Sequence, residues 1–300
     1  MELLILGSSG GAPTKYRNCT SFVLKNEAYG IMFDCAEGTQ RQLIRASYKL
    51  SKIKYIFISH LHQDHIAGLV PLLSTKSMFN IPGSITIIGP KGLEEYINFN
   101  LKISGSRLGF DLEVLEASNG KIFKQDMFNV TTYELNHRVD CFGFRVSFKD
   151  KPGNIDLKKA ESFGLSQGPI LGELQKKGEV ETENGIVKLS DIASDPVKGK
   201  IFTFISDTYL CDNLFKLAEN ADMLYIESTF QKEFEDRARD RMHLTSYMCG
   251  EVAKESGVKA LVLSHFSASY IRYEKFRDDA KELFKGKIYL AYDLESYPIE

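Results

Sequence analysis

Apolar and polar positions along this chain alternate between two kinds of repeat. Short runs rich in branched and aromatic residues, at positions 2–6, 20–25, 30–34, 54–59 and 84–88, read as strands. Between them, residues 38–47, 66–78 and 91–103 carry helical spacing, and four more candidate strands lie between 111 and 148. A further alternation begins at Lys200-Ile201-Phe202-Thr203-Phe204-Ile205 and runs through Ala260-Leu261-Val262-Leu263. It ends in a helix whose apolar face is Tyr273, Phe276, Ala280, Leu283 and Phe284. Two β-rich halves that each carry helices predict an α/β (α+β) fold, a four-layer αββα sandwich. Residues 151–185 interrupt the pattern: they are rich in glycine, lysine and glutamate and thin in apolar side chains. This composition predicts an exposed, flexible arm inserted into a single domain spanning 1–300.

Composition narrows the class. Three hundred residues with 43% hydrophobic content can bury a sizeable core. No segment approaches the roughly 20 apolar residues of a membrane span, and the start lacks the features of a signal peptide, so the expectation is a soluble, cytoplasmic protein without a membrane partner. The five cysteines are scattered and odd in number, with no C-x-x-C pair, which points to reduced core thiols rather than a disulfide framework or a thiolate zinc site. A net charge of -2 does not mark a nucleic-acid binder, although local basic patches can serve where global charge does not.

The candidate chemistry sits where strands end. Of six histidines in the chain, three fall in His60-Leu61-His62-Gln63-Asp64-His65, directly after the apolar run 54–59. Open α/β folds place their chemistry at such carboxyl ends. Side chains alternate in an extended segment, so His60 and His62 can face one metal while the following turn swings Asp64 and His65 toward a second. His137, Asp207 and His265 each follow another strand-like run. A site for two ions roughly 3.5–4 Å apart needs a ligand able to bridge, which a carboxylate can do and an imidazole cannot; Asp207 is the natural choice. Arg17 is a candidate phosphate or nucleotide contact, and Ser264, Ser267 and Tyr270, which flank His265, could bind phosphate.

These motifs resemble the metallo-β-lactamase superfamily and, within it, the short form of ribonuclease Z. The likeness runs over nearly the whole chain. Beside H-x-H-x-D-H it includes the segment from Ser8 to Asn18, Phe33-Asp34-Cys35-Ala36-Glu37-Gly38, Asn136-His137-Arg138, Ser206-Asp207-Thr208, Glu227-Ser228-Thr229-Phe230, His243-Leu244-Thr245 and Ser264-His265-Phe266-Ser267. It departs at Ser206 and Ala36, where glycine is usual, and at Ser269, where arginine is frequent. The resemblance implies two divalent metal ions, zinc first, with manganese or iron also compatible with such donors. One would take His60, His62 and His137, the other Asp64, His65 and His265, with Asp207 and a water shared. Asp64 would also orient the water or accept its proton, and His243, steered by Glu227, would assist the departing 3' oxygen. The segment holding Gly168-Pro169, Lys158-Lys159 and Lys176-Lys177 resembles a protruding tRNA-gripping exosite. From 149 to 178 it carries six lysines against four acidic residues, a local excess of +2. The implied activity is endonucleolytic removal of the 3' trailer from precursor tRNA by a homodimer, leaving a tRNA 3'-hydroxyl and a trailer 5'-phosphate. Hydrolysis of small phosphodiesters or sulfate esters, or catalytically silent tRNA binding, are the alternatives; the arm and the full ligand set weigh against them.

Overall fold

The computed structural model describes residues 1–26, 28–182 and 185–300; residues 183 and 184 of the expected arm fall outside the described residues. Two compact units are present. The first comprises Met1–Gln125, Asn129–Val146 and Ile201–Glu300, the second Asp126–Phe128 and Ser147–Lys200.

The first unit is built on two seven-stranded sheets. In spatial order, one sheet runs Ser296–Pro298, Glu2–Gly7, Ser21–Lys25, Gly30–Phe33, Ile53–Phe57, Ile85–Gly89 and Leu112–Glu116. The other runs Lys287–Leu290, Ala260–Ser264, Met223–Glu227, Ile201–Ile205, Phe142–Phe148, Phe128–Glu134 and Ile122–Lys124. Period-two alternation assigns each side chain to a layer. Phe22, Phe33 and Phe57 from the first sheet meet Phe144, Phe202, Phe204 and Tyr225 from the second, with ring centroids 4.0 Å apart for Phe22 and Tyr225 and 5.2 Å for Phe57 and Phe144. The alternate residues face outward into aliphatic layers. Val23, Met32 and Ile56 pack with Leu69, Leu72 and Leu73 of one set of helices, and Ile205, Leu224 and Ile226 with Met248, Val252 and Phe276 of the other. The result is the predicted αββα order, with an aromatic layer between the sheets.

Sequence spacing over 66–78 predicts one helix, and the structure divides it. A short helix Gln63–Ile66 is followed by a second, Leu69–Met78. Gly68 stands between them, and only glycine fits there, because a Cβ would lie 1.9 Å from the carbonyl oxygen of Ala36. The close approach leaves Gly68 N–H donating to Cys35 O at 2.8 Å, and Cys35 N–H to His65 O at 2.7 Å.

The second unit is wider than the expected arm and has a core of its own. Helices Leu157–Ser162 and Pro169–Lys177 and the hairpin of Glu179–Thr182 with Gly185–Lys188 bury Ala160, Leu165, Leu171, Leu174, Val180, Val187 and Ile192. Asp156 caps the first helix, accepting from the N–H groups of Lys158 and Lys159. Gly168 precedes the second, and Pro169 occupies its opening turn, where no backbone donor is missed. The unit closes on itself, since Lys151 and Val197 exchange two backbone hydrogen bonds of 2.9 Å. Seven apolar side chains on single faces suffice for this core, which is why a low apolar fraction read as an exposed arm.

Candidate metal centre

Five strand ends of the first unit converge on one rim. His60 and His62 follow Ile53–Phe57, His137 follows Phe128–Glu134, Asp207 follows Ile201–Ile205, Glu227 closes Met223–Glu227, and His265 follows Ala260–Ser264. Parallel pairing of the last three strands aligns their carboxyl ends. His60, His62, His137 and Asp207 form one group of donors and Asp64, His65 and His265 another, with donor atoms in each group within 4.8 Å of one another. Asp207 lies between them. Its Oδ2 faces His60 Nε2 at 3.8 Å and His137 Nε2 at 4.0 Å, while its Oδ1 faces His265 Nε2 at 3.1 Å and His65 Nε2 at 3.4 Å.

The remaining ring nitrogens are held from behind. His65 Nδ1 is 2.7 Å from Asp34 Oδ2, His265 Nδ1 is 2.9 Å from Thr229 Oγ1, and His137 Nδ1 is 3.2 Å from Met242 O. His60 Nδ1 is 3.0 Å from Ser59 Oγ, and that hydroxyl donates to Asp34 Oδ2 at 2.9 Å. Acceptors facing Nδ1 place the proton there and leave Nε2 with a lone pair on the donor side, the arrangement that fixes metal-binding imidazoles. Ser59 N–H also donates to Asp34 Oδ1 at 2.7 Å, and Ser206 Oγ donates to Ser59 Oγ at 2.9 Å. Asp34 is fully buried and has a left-handed backbone, φ 50°. Gly11 N–H donates to Asp64 Oδ2 at 2.8 Å.

Electrostatics and unsatisfied atoms fit a cationic occupant. Burial, then the neighbouring His65, holds His60 well below an ordinary imidazole, and burial lowers His137 as well, so both are neutral near pH 7, the form a metal ligand requires. Burial opposes the charge on Asp207, but the surrounding imidazoles, His265 first, outweigh it and keep the carboxylate ionised. His137 Nε2 and Asp207 Oδ1 are buried with no hydrogen-bond partner among the described residues. Native interiors rarely leave such atoms unpaired, and both lie where ions would satisfy them.

His243 stands beside this set. Its Nδ1 is 2.9 Å from Glu227 Oε1, and the same oxygen accepts from the N–H of Leu244 at 3.0 Å and of Thr208 at 3.2 Å. Burial disfavours a charged His243; the Glu227 carboxylate, and Asp207 after it, reverse this and raise the imidazole to about 9. Cations among the neighbouring donors would act against that rise. His62, Asp64, His137, Asp207, His243 and His265 all line one open cavity of about 300 Å³.

Several expected contacts are placed elsewhere. Arg17 turns inward: its Nη1 donates to Ala291 O at 2.6 Å and to Ser8 Oγ at 2.5 Å, and its guanidinium stacks 3.8 Å from the Tyr273 ring centroid. With only 5% of its surface exposed, this arginine braces the loop, and it lines a cavity other than that of the donor groups, together with Arg41 and Arg45. Ser264 is fully buried and accepts from Tyr225 OH at 2.6 Å. Tyr270 OH accepts from Gln231 N–H at 3.3 Å, whereas Ser267 does line the cavity. Gly168 and Pro169 lie in the second unit, the region where the arm was expected. The sequence reading gave no role to Asp34, Ser59, Thr229, Arg237 or Arg241, the last three of which line the cavity. For Asp34 a signal existed, a lone carboxylate closing an apolar strand.

Solved structures place this architecture. Human tRNase Z, short form, superposes with a TM-score of 0.72 at 27% identity, covering 100% of both chains. The metallo-β-lactamase fold protein YhfI from Bacillus subtilis superposes with a TM-score of 0.71 at 18% identity, covering 99% of this chain and 98% of that one, a likeness of fold alone. Fold and donor set together define a metal-dependent hydrolase of the metallo-β-lactamase class. The particular branch follows from sequence: ribonuclease Z of Listeria monocytogenes is 40% identical over 306 residues, spanning 100% of this chain and 99% of the relative. Ribonuclease Z of Picosynechococcus sp. is 39% identical over 308 residues, spanning 100% and 96%. The chain belongs to the ribonuclease Z family. The family model of the anti-Pycsar protein Apyc1 also matches, over residues 1–154. That match takes in the donors through His137 and stops short of Asp207, His243 and His265.

Proposed function

We propose that this protein is an endoribonuclease that removes the 3' trailer from precursor tRNA, with two divalent cations, zinc first, held by the two donor groups. The observation that carries the reading is Asp207, whose two carboxylate oxygens each face a different donor group. His60, His62 and His137 would hold one ion, Asp64, His65 and His265 the other, and Asp207 both. Bound there, such ions lower the pKa of a water toward neutrality and neutralise charge building on the phosphate oxygens.

The chain's own groups do the rest. Asp64, fixed by Gly11 N–H, is placed to orient the attacking water and take its proton. Water adds to phosphorus, the bond from phosphorus to the tRNA O3' breaks, and His243 supplies a proton to that oxygen, leaving a 3'-hydroxyl and a 5'-phosphate. Glu227 holds the imidazole in position through Nδ1. Full-length relatives named ribonuclease Z support tRNA as the substrate over a small phosphodiester. Lysines of the second unit, among them Lys158, Lys159, Lys176 and Lys177, would grip tRNA phosphates without reading sequence.

No helix among the described residues is long and apolar enough to cross a membrane. We place the enzyme in the cytoplasm as a homodimer. Ile44, Met78, Phe79, Phe99 and Ile103 are each at least 60% exposed, and a second copy packed on this face would cover them. Mapping the products from one precursor with and one without an encoded CCA tests substrate and cleavage position together. Intact precursor after incubation with the metal-loaded enzyme would refute the assignment.

A further inference from the structure

One wall of the cavity carries charge that the donor groups do not use. The helix Glu235–Arg241 buries Ala238 and directs Arg237 and Arg241, four positions apart, to the same side. Both line the cavity alongside His243, Phe230 and Arg138. Arg239 instead pairs with Asp236 on another face, whereas among the described residues neither Arg237 nor Arg241 has a carboxylate partner. Two further contacts order this wall. The Arg237 guanidinium lies 5.3 Å from the centroid of the Phe230 ring, which holds it by its face and leaves its N–H donors free. Arg138 Nη2 donates to Asp240 O at 2.6 Å, tying the end of the helix to the strand end that bears His137.

Both arginines are exposed, with their forked donors available to a ligand, and such forks match phosphate oxygens. A single scissile phosphate placed over Asp207 is served by the donor groups beneath it. The arginines stand in the wall of the same cavity, beside His243 rather than among the donor groups. We propose that Arg237 and Arg241 form a subsite for the phosphodiesters adjacent to the scissile one, so that the cavity selects a polynucleotide strand over an isolated phosphodiester. This rests on the reading that the cavity cuts an RNA phosphodiester.

The test compares wild type with Arg237→Gln, Arg241→Gln and the double variant, each checked for metal content, on precursor tRNA, a short unstructured oligoribonucleotide and bis(p-nitrophenyl) phosphate. The double variant should keep its metals and lose at least about tenfold in the ratio of kcat/KM for RNA to kcat/KM for the small diester, mainly through KM. The salt dependence of RNA binding should become shallower by about 0.7 per lost contact. Arg→Lys at both positions should restore most of the salt slope. An unchanged ratio and slope would make both arginines ordinary solvated charges, and equal losses on RNA and small diester would assign them to folding or chemistry; either overturns the subsite. Wild type that spares precursor tRNA yet cuts the oligoribonucleotide would sink the tRNA assignment, and the ratio on the oligoribonucleotide would still decide the arginines.

Discussion

The rim of the first unit and the whole of the second are built on opposite principles. At the rim, most polar atoms have an assigned partner: Asp34 accepts three hydrogen bonds, Glu227 accepts from three backbone amides, and four of the five imidazoles in the two donor groups are held at Nδ1 by a side-chain or carbonyl oxygen. In the second unit seven buried apolar side chains support a surface of exposed lysines, and the polar contacts are caps and turns. The first arrangement suits groups that must stand within a fraction of an ångström of a productive geometry. The second suits attraction to a phosphate backbone, where charge matters and exact placement does not.

That contrast should break most visibly at Asp207. Asp207→Ala removes the ligand shared by both donor groups, so turnover should vanish and metal content, measured by atomic absorption, should fall at both sites; a full complement of two ions would refute the sharing. His243→Ala should retain its metals and lose about 10²- to 10⁴-fold in kcat. Near-normal cleavage would return His243 to a structural role.

The outer contacts sharpen the comparison further. Ser59→Ala leaves His60 Nδ1–H and the Ser206 hydroxyl unpaired in a buried place, and should weaken metal affinity by about 10- to 100-fold in a chelator competition. Ser206→Ala alone should cost less. In the Ser59→Ala background it should raise Tm, because it removes the stranded hydroxyl. Additive losses in that double variant would show that Ser206 acts independently of Ser59. The smallest effect on chemistry should come from excising the second unit. Replacing residues 152–196 by a short glycine linker between Lys151 and Val197, already hydrogen-bonded neighbours, should lower the preference for precursor tRNA over a small phosphodiester. Each phosphate contact surrendered should also flatten the salt dependence of binding by about 0.7–0.9. An unaltered preference would deprive the unit of its role in grip.

Legibility in the sequence follows the same division. The convergence of the H-x-H-x-D-H element with His137, Asp207 and His265 could be read because such residue types are rare and set after apolar strands, and the layered fold could be read because strand and helix periods differ. Arg17 could not be placed, since the box of Phe266, Tyr273 and Tyr292 that encloses it comes from the far end of the chain. Arg237 and Arg241 sit in a run of alternating charges that reads as a solvated face, and only folding brings that helix beside His243. The core of the second unit was hidden because its apolar residues are few and widely spaced.

Gly10 carries a consequence for biosynthesis. A Cβ at this position would lie 2.5 Å from the His265 ring, so residue 10 and residue 265 occupy adjoining places in the finished molecule. The strand pair Ser9–Gly10 with Phe266–Ser267 joins them. Synthesis proceeds from the amino terminus, and early segments can begin to fold while later ones are still being made. His60, His62 and His65 therefore emerge long before His265, and a nascent chain that has not reached that residue lacks a ligand of the second donor group. Until residue 265 has been made, the second donor group has only Asp64 and His65, and the strand pair that holds Gly10 against the ring cannot form.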